Sequence, residues 1–153
     1  MTTVPASSSA PAESDPDRFA LRLGYAGLAP FVLGAALMWL VYPEVHPYVA
    51  LALSSYAAVV ISFLGGIHWG MAMRHQPPPH TLIAWGVVPS LLAWAAVMMP
   101  PASGLVIAAL ALLACYGVDR RLYPLHGAAH WLTLRFRLSM LAALSCFIGA
   151  AGA

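Results

Sequence analysis

The chain has 153 residues, of which 61% are hydrophobic and only 8% charged, with a formal charge of +2 and a mean hydropathy of +0.81. Soluble domains carry roughly a quarter of their residues as charged side chains, so this composition excludes a soluble globular fold and indicates an integral membrane protein. The positive charge comes from arginine alone, and no basic stretch is interleaved with aromatics in the way a nucleic-acid partner requires.

Residues 1–17 are rich in Ala, Ser, Thr and Pro, with Glu13 and Asp15 among them. Such a segment buries too little apolar surface to offset its ordering entropy, and it reads as a disordered cytoplasmic leader. Its acids and the missing basic n-region argue against a secretory signal or a transit peptide.

Residues 18–153 read as one all-α transmembrane domain, a bundle of five spans at about 24–42, 48–73, 81–99, 103–118 and 134–152. A helix needs ~20 apolar residues to cross ~30 Å of hydrocarbon, and the fourth run is the shortest. The runs are continuously apolar rather than alternating, which excludes a barrel. Cys115 and Cys146 fall inside them as small buried hydrophobes.

Arg18, Arg22, Arg74, Arg120, Arg121, Arg135 and Arg137 flank the spans on one side, while the connections at 43–47 and 100–102 carry no basic residue. By the positive-inside rule the N-terminus is cytoplasmic and the C-terminus lies outside. Trp39, Tyr42 and Tyr48 then belong to an outer aromatic belt, with Trp85 and Trp131 near the inner interface.

The second span carries the most informative stretch, Phe63 to Met73, with His68 among Gly65, Gly66, Trp69 and Gly70. A histidine inside a span faces protein, a cavity or a functional partner rather than lipid. Ser54, Ala58, Ile61, Gly65, His68 and Ala72 share one helical face, which predicts close packing around His68. Gly66 and Gly70 form a Gly-x-x-x-Gly pair on an adjoining face, read as packing within the bundle.

The first and third spans each contain Gly-x-x-Pro, at Gly27 to Pro30 and Gly86 to Pro89. A proline inside a helix leaves the carbonyl four residues earlier without its donor, here those of Ala26 and Trp85. The expectation is that His68 hydrogen-bonds into the zone opened by Pro30 and Pro89, with Ser90 a candidate partner. Asp119, Arg120 and Arg121 read as an ion-paired helix end at the headgroups; with Arg135 and Arg137 they are the candidate headgroup or anion contacts. His126 and His130 have an i, i+4 spacing, but Gly127 weakens a helix there and no metal site is expected.

Gly27 to Phe31, the Leu-Gly-Gly-Ile-His-Trp-Gly core at 64–70, Val88 to Trp94, and Asp119-Arg120-Arg121 with the later Trp131-to-Arg135 spacing carry a resemblance. From about Phe19 to Gly149 the chain resembles the bacterial domain-of-unknown-function family that includes transmembrane protein 69. The resemblance implies a small multi-spanning protein of the bacterial inner membrane, or of the mitochondrial inner membrane in animals. It supplies no activity.

Two functional readings follow from the residues. The first is a non-enzymatic scaffold or assembly factor, with the lipid bilayer and a membrane-protein partner or second copy as its contacts and no cofactor. The alternative is a small transporter or proton-linked carrier using His68 near Pro30 and Pro89, which lacks an intramembrane counter-charge. A Ser90–His68 dyad has no orienting acid or oxyanion signature, so no catalytic residue is assigned.

Overall fold

The computed structural model describes residues 18–153, and the leader lies outside the described residues. Among the described residues every element is helical: α1 (Arg18–Ala26), α2 (Ala29–Leu40), α3 (His46–Ala72), α4 (His80–Met98), α5 (Pro101–Leu125) and α6 (Leu132–Ala151), with 3-10 turns at Pro43–Val45 and Ala129–Trp131. Five stretches are long and apolar enough to cross a membrane, α1 and α2 together making the first.

The middle of the bundle is α3, which packs against α2, α4, α5 and α6. Small and branched side chains close the core around it, among them Leu53, Ala57, Ile61, Leu105, Ala108 and Cys146. In lipid the association of helices depends on close packing and internal hydrogen bonds rather than on water exclusion, and small residues allow that approach.

The two prolines do different things. Pro30 sits in the first turn of α2, after a break at Gly27–Leu28 that divides the first span. The Gly27 carbonyl at the break accepts a hydrogen bond from the Tyr56 hydroxyl at 2.8 Å, and Tyr56 meets Phe31 edge to face with ring centroids 5.1 Å apart. Pro89, by contrast, lies inside an unbroken α4. A neighbouring span therefore satisfies backbone at the first proline, as a spanning helix requires.

The fourth span differs most from its sequence reading. It does not stop at Val118 but continues through Asp119-Arg120-Arg121 to Leu125. The stop is a C-terminal glycine motif: Gly127 has φ +72°, and the Ala128 N–H returns to the Tyr123 carbonyl at 2.9 Å. That 6→1 bond is the Schellman closure, which needs a residue comfortable in the left-handed region. Charge alone does not end a helix, so a boundary drawn at the first charged residue fell two turns short.

Candidate functional site

His68 lies on the inward face of α3 and is 1% exposed. Its Nδ1 is 3.1 Å from the Leu64 carbonyl one turn back. A carbonyl only accepts, so Nδ1 carries the hydrogen in this contact. Nε2 stands 3.1 Å from Asp119 Oδ1, with both side chains 1% exposed. The two atoms are at ion-pair distance without an aligned hydrogen bond.

Asp119 reaches this position because Cys115, Asp119 and Tyr123 continue the buried face of α5 at four-residue spacing. On its other side Asp119 Oδ2 accepts from Arg135 Nε at 2.7 Å. Arg135 stands in the first turns of α6, and its Nη1 donates to Ser139 Oγ, also at 2.7 Å. The side chain of Arg135 is 10% exposed, and the Tyr123 hydroxyl stands beside the guanidinium. Three helices thus meet at one carboxylate.

These facts correct two expectations. His68 does not bond into a zone between Pro30, Pro89 and Ser90: its contacts are Leu64 and Asp119, and Pro30 and Ser90 are exposed. Nor are Asp119 and Arg135 headgroup contacts, since both are withdrawn into the bundle, whereas Arg120 and Arg121 are exposed. The physical reason is the helical period, which points Asp119 inward and its two neighbours outward on the same helix. Hence the counter-charge absent from the sequence reading is present inside the bundle: Asp119 faces His68, and Arg135 pairs with the same carboxylate.

The glycines divide in the same way. A Cβ on Gly65 would strike the Gly86 carbonyl of α4, with Pro89 Cβ next at 3.5 Å, and one on Gly86 would strike the Trp69 ring. Trp69 lies across that crossing and donates its indole N–H to the Ile83 carbonyl at 3.1 Å. Gly66 and Gly70 have nothing within 4 Å of an added Cβ and are exposed, so they do not pack within the bundle. His126 faces His75, ring centroids 5.2 Å apart, rather than His130, because the Gly127 turn interrupts the helix between them.

Beside the cluster lies a cavity of about 620 Å³, confined to the arginine-bearing half of the bundle. Its walls are apolar side chains of α1, α2, α3 and α6, such as Leu23, Phe31, Phe63 and Leu138, and Arg135, Ser139 and Tyr123 supply a polar end. In the opposite half Leu53, Ala57, Leu105, Ala108 and Cys146 are 0–2% exposed and close the core. Tyr123 and Ser139 were not singled out from sequence, although each lies four residues from a charged partner on the same face.

A family profile described as "Protein of unknown function (DUF3429)" matches residues 16–151, nearly the whole chain. The protein belongs to that family. Among curated relatives, transmembrane protein 69 of Xenopus tropicalis is 42% identical over 87 residues, covering 55% of this chain and 34% of the relative. Transmembrane protein 69 of Mus musculus is 27% identical over 137 residues, covering 88% of this chain and 56% of the relative. The chain therefore spans between a third and a little over half of those proteins. No solved structure matches it. The DUF3429 chain is a polytopic membrane protein in which His68 and Arg135, from two different helices, converge on Asp119 of a third.

Proposed function

We propose that this DUF3429 protein is a non-enzymatic scaffold of the inner membrane, N-terminus cytoplasmic and C-terminus outside, in which the His68–Asp119–Arg135 cluster latches α3, α5 and α6. The observation that carries this reading is the position of Asp119, held by His68 from one helix and Arg135 from another with its carboxylate inside the bundle. Buried ion pairs add little net stability over an apolar core, but they specify one arrangement because a misplaced charge is costly. The one-sided cavity supports holding over passage, since the far half of the core is closed by side chains that are 0–2% exposed. The orientation rests on the arginine distribution alone.

One observation favours the carrier reading instead: Nε2 of His68 faces a carboxylate inside the bundle, a pairing that occurs in proton relays. His68→Gln separates the two, because glutamine hydrogen-bonds without titrating. For the scaffold, proteoliposomes containing the wild-type chain and a pH-sensitive dye show no proton flux beyond the His68→Gln variant, and the variant remains folded. Proton flux present in the wild type and abolished by His68→Gln would replace the scaffold with the carrier.

A further inference from the structure

The four-residue spacing in the sequence pairs His126 with His130, but the fold pairs it with His75. The two rings lie just past the ends of α5 and α3, nearly perpendicular (85°), with centroids 5.2 Å apart. With Met71, Arg74 and Leu125 they line a polar pocket of about 220 Å³. His75 is exposed and His126 half-buried, so the pocket is reached from outside the bundle at its arginine-bearing end.

Both rings are arranged as ligands. His75 Nδ1 is 3.0 Å from the Met71 carbonyl. A carbonyl only accepts, so Nδ1 carries the hydrogen in this contact; metal-ligating histidines are held in this way, with the other ring nitrogen turned to the metal. Among the described residues no hydrogen bond engages the His126 ring, and only its Nδ1 is enclosed, which leaves Nε2 open. Two imidazoles on a tetrahedral ion, each nitrogen ~2.0–2.1 Å from it, have ring centroids about 5 Å apart. The observed 5.2 Å already matches that spacing.

The third donor and the local charge choose the ion. Among the described residues no third His, Cys, Asp or Glu joins the pair, as a zinc site requires. Met71 lines the pocket instead, and a thioether is a soft donor that selects Cu(I). Arg74, exposed at the rim, repels a monovalent ion less than a divalent one.

From this geometry we infer that Met71, His75 and His126 form a site for one Cu(I) ion. The site lies at the helix ends rather than at Asp119 and does not depend on the latch.

The test follows anaerobic Cu(I) uptake by the full chain in detergent, in competition with bicinchoninate, whose cuprous complex is coloured. The wild type should withdraw one Cu(I) per chain. His75→Phe and His126→Phe keep the edge-to-face ring packing and lose the donor nitrogens. Each should weaken uptake at least about ten-fold, the cost of disturbing even an outer-shell partner of a metal site, while His130→Phe leaves it unchanged. Met71→Leu should weaken Cu(I) to a similar degree without changing Zn(II). Copper K-edge X-ray absorption of the loaded wild type, which needs no variant, should show nitrogen and sulfur neighbours together. No uptake by the wild type, or uptake that persists in the His75→Phe, His126→Phe double variant, as an adventitious ion only would, overturns the site. Zn(II) bound more tightly than Cu(I), or a copper spectrum without sulfur, overturns the choice of ion.

Discussion

Asp119→Asn is expected to lower the unfolding free energy by about 3–5 kcal/mol, the loss found when one partner of a buried ion pair is removed. The amide keeps the shape of the carboxylate but leaves the Arg135 guanidinium, 10% exposed, with no countercharge. It also leaves His68 Nε2 without the carboxylate it faces at 3.1 Å. The loss should appear in detergent-titrated unfolding followed by tryptophan fluorescence. Replacing the whole cluster tests the same physics from the other side. The combination His68→Phe, Asp119→Leu and Arg135→Met removes the whole polar cluster together and should recover most of the stability, since apolar groups of similar size substitute for buried ions at little cost. A triple variant as unstable as Asp119→Asn would mean that the site needs its shape rather than its charge balance.

Gly65→Ala and Gly66→Ala are expected to have opposite signs although the residues are adjacent. The added methyl at Gly65 meets the Gly86 carbonyl of α4, which is backbone and has nowhere to turn. Overpacking of this kind costs about 1–3 kcal/mol and here must separate α3 from α4. At Gly66 nothing lies within 4 Å of the new methyl. Alanine is the better helix former by roughly 0.5–1 kcal/mol, so Gly66→Ala should be neutral or stabilising. Gly86→Ala belongs with Gly65, since its methyl meets the Trp69 ring. Unfolding in the same detergent titration, and the yield of monodisperse protein, report both. A destabilising Gly66→Ala together with a tolerated Gly65→Ala would place α4 on the other face of α3.

Much of this fold is legible in the sequence, because spanning helices are set by the length of apolar runs. The stretch 48–73 corresponds to α3 at His46–Ala72, and 81–99 to α4 at His80–Met98. Of the face through Ser54, Ala58, Ile61, Gly65, His68 and Ala72, all but the half-buried Ala58 are buried, as the spacing implies. The cluster was legible only in part. His68 stands out as an ionisable group within an apolar run, whereas Asp119 and Arg135 sit among other charges and resemble interface residues. The signal that separates them is periodic: Leu105, Ala108, Leu112, Cys115, Asp119 and Tyr123 mark one continuous buried face. Following that face past the first charge carries α5 to its glycine stop and turns Asp119 inward. Which residue Asp119 meets was beyond the sequence, because it depends on how α3, α5 and α6 pack. The Gly-x-x-Pro pair misled for a related reason. The same Gly-x-x-Pro spacing gave a helix break at Gly27–Leu28, just before Pro30, and a continuous helix through Pro89.

The latch requires a histidine and an aspartate from different spans to lie in contact inside the bundle. Rotational-echo double-resonance NMR between ¹⁵N-labelled histidine and ¹³Cγ-labelled aspartate, in lipid bilayers, measures that contact directly. Asp119 is the one aspartate among the described residues. Its carboxyl carbon lies within ~4.4 Å of His68 Nε2, from the 3.1 Å N–O separation and a carbon–oxygen bond of ~1.23 Å. The result expected is strong dephasing of the Asp119 carboxyl signal that vanishes in His68→Gln. Absence of dephasing in the folded wild-type protein would contradict the latch.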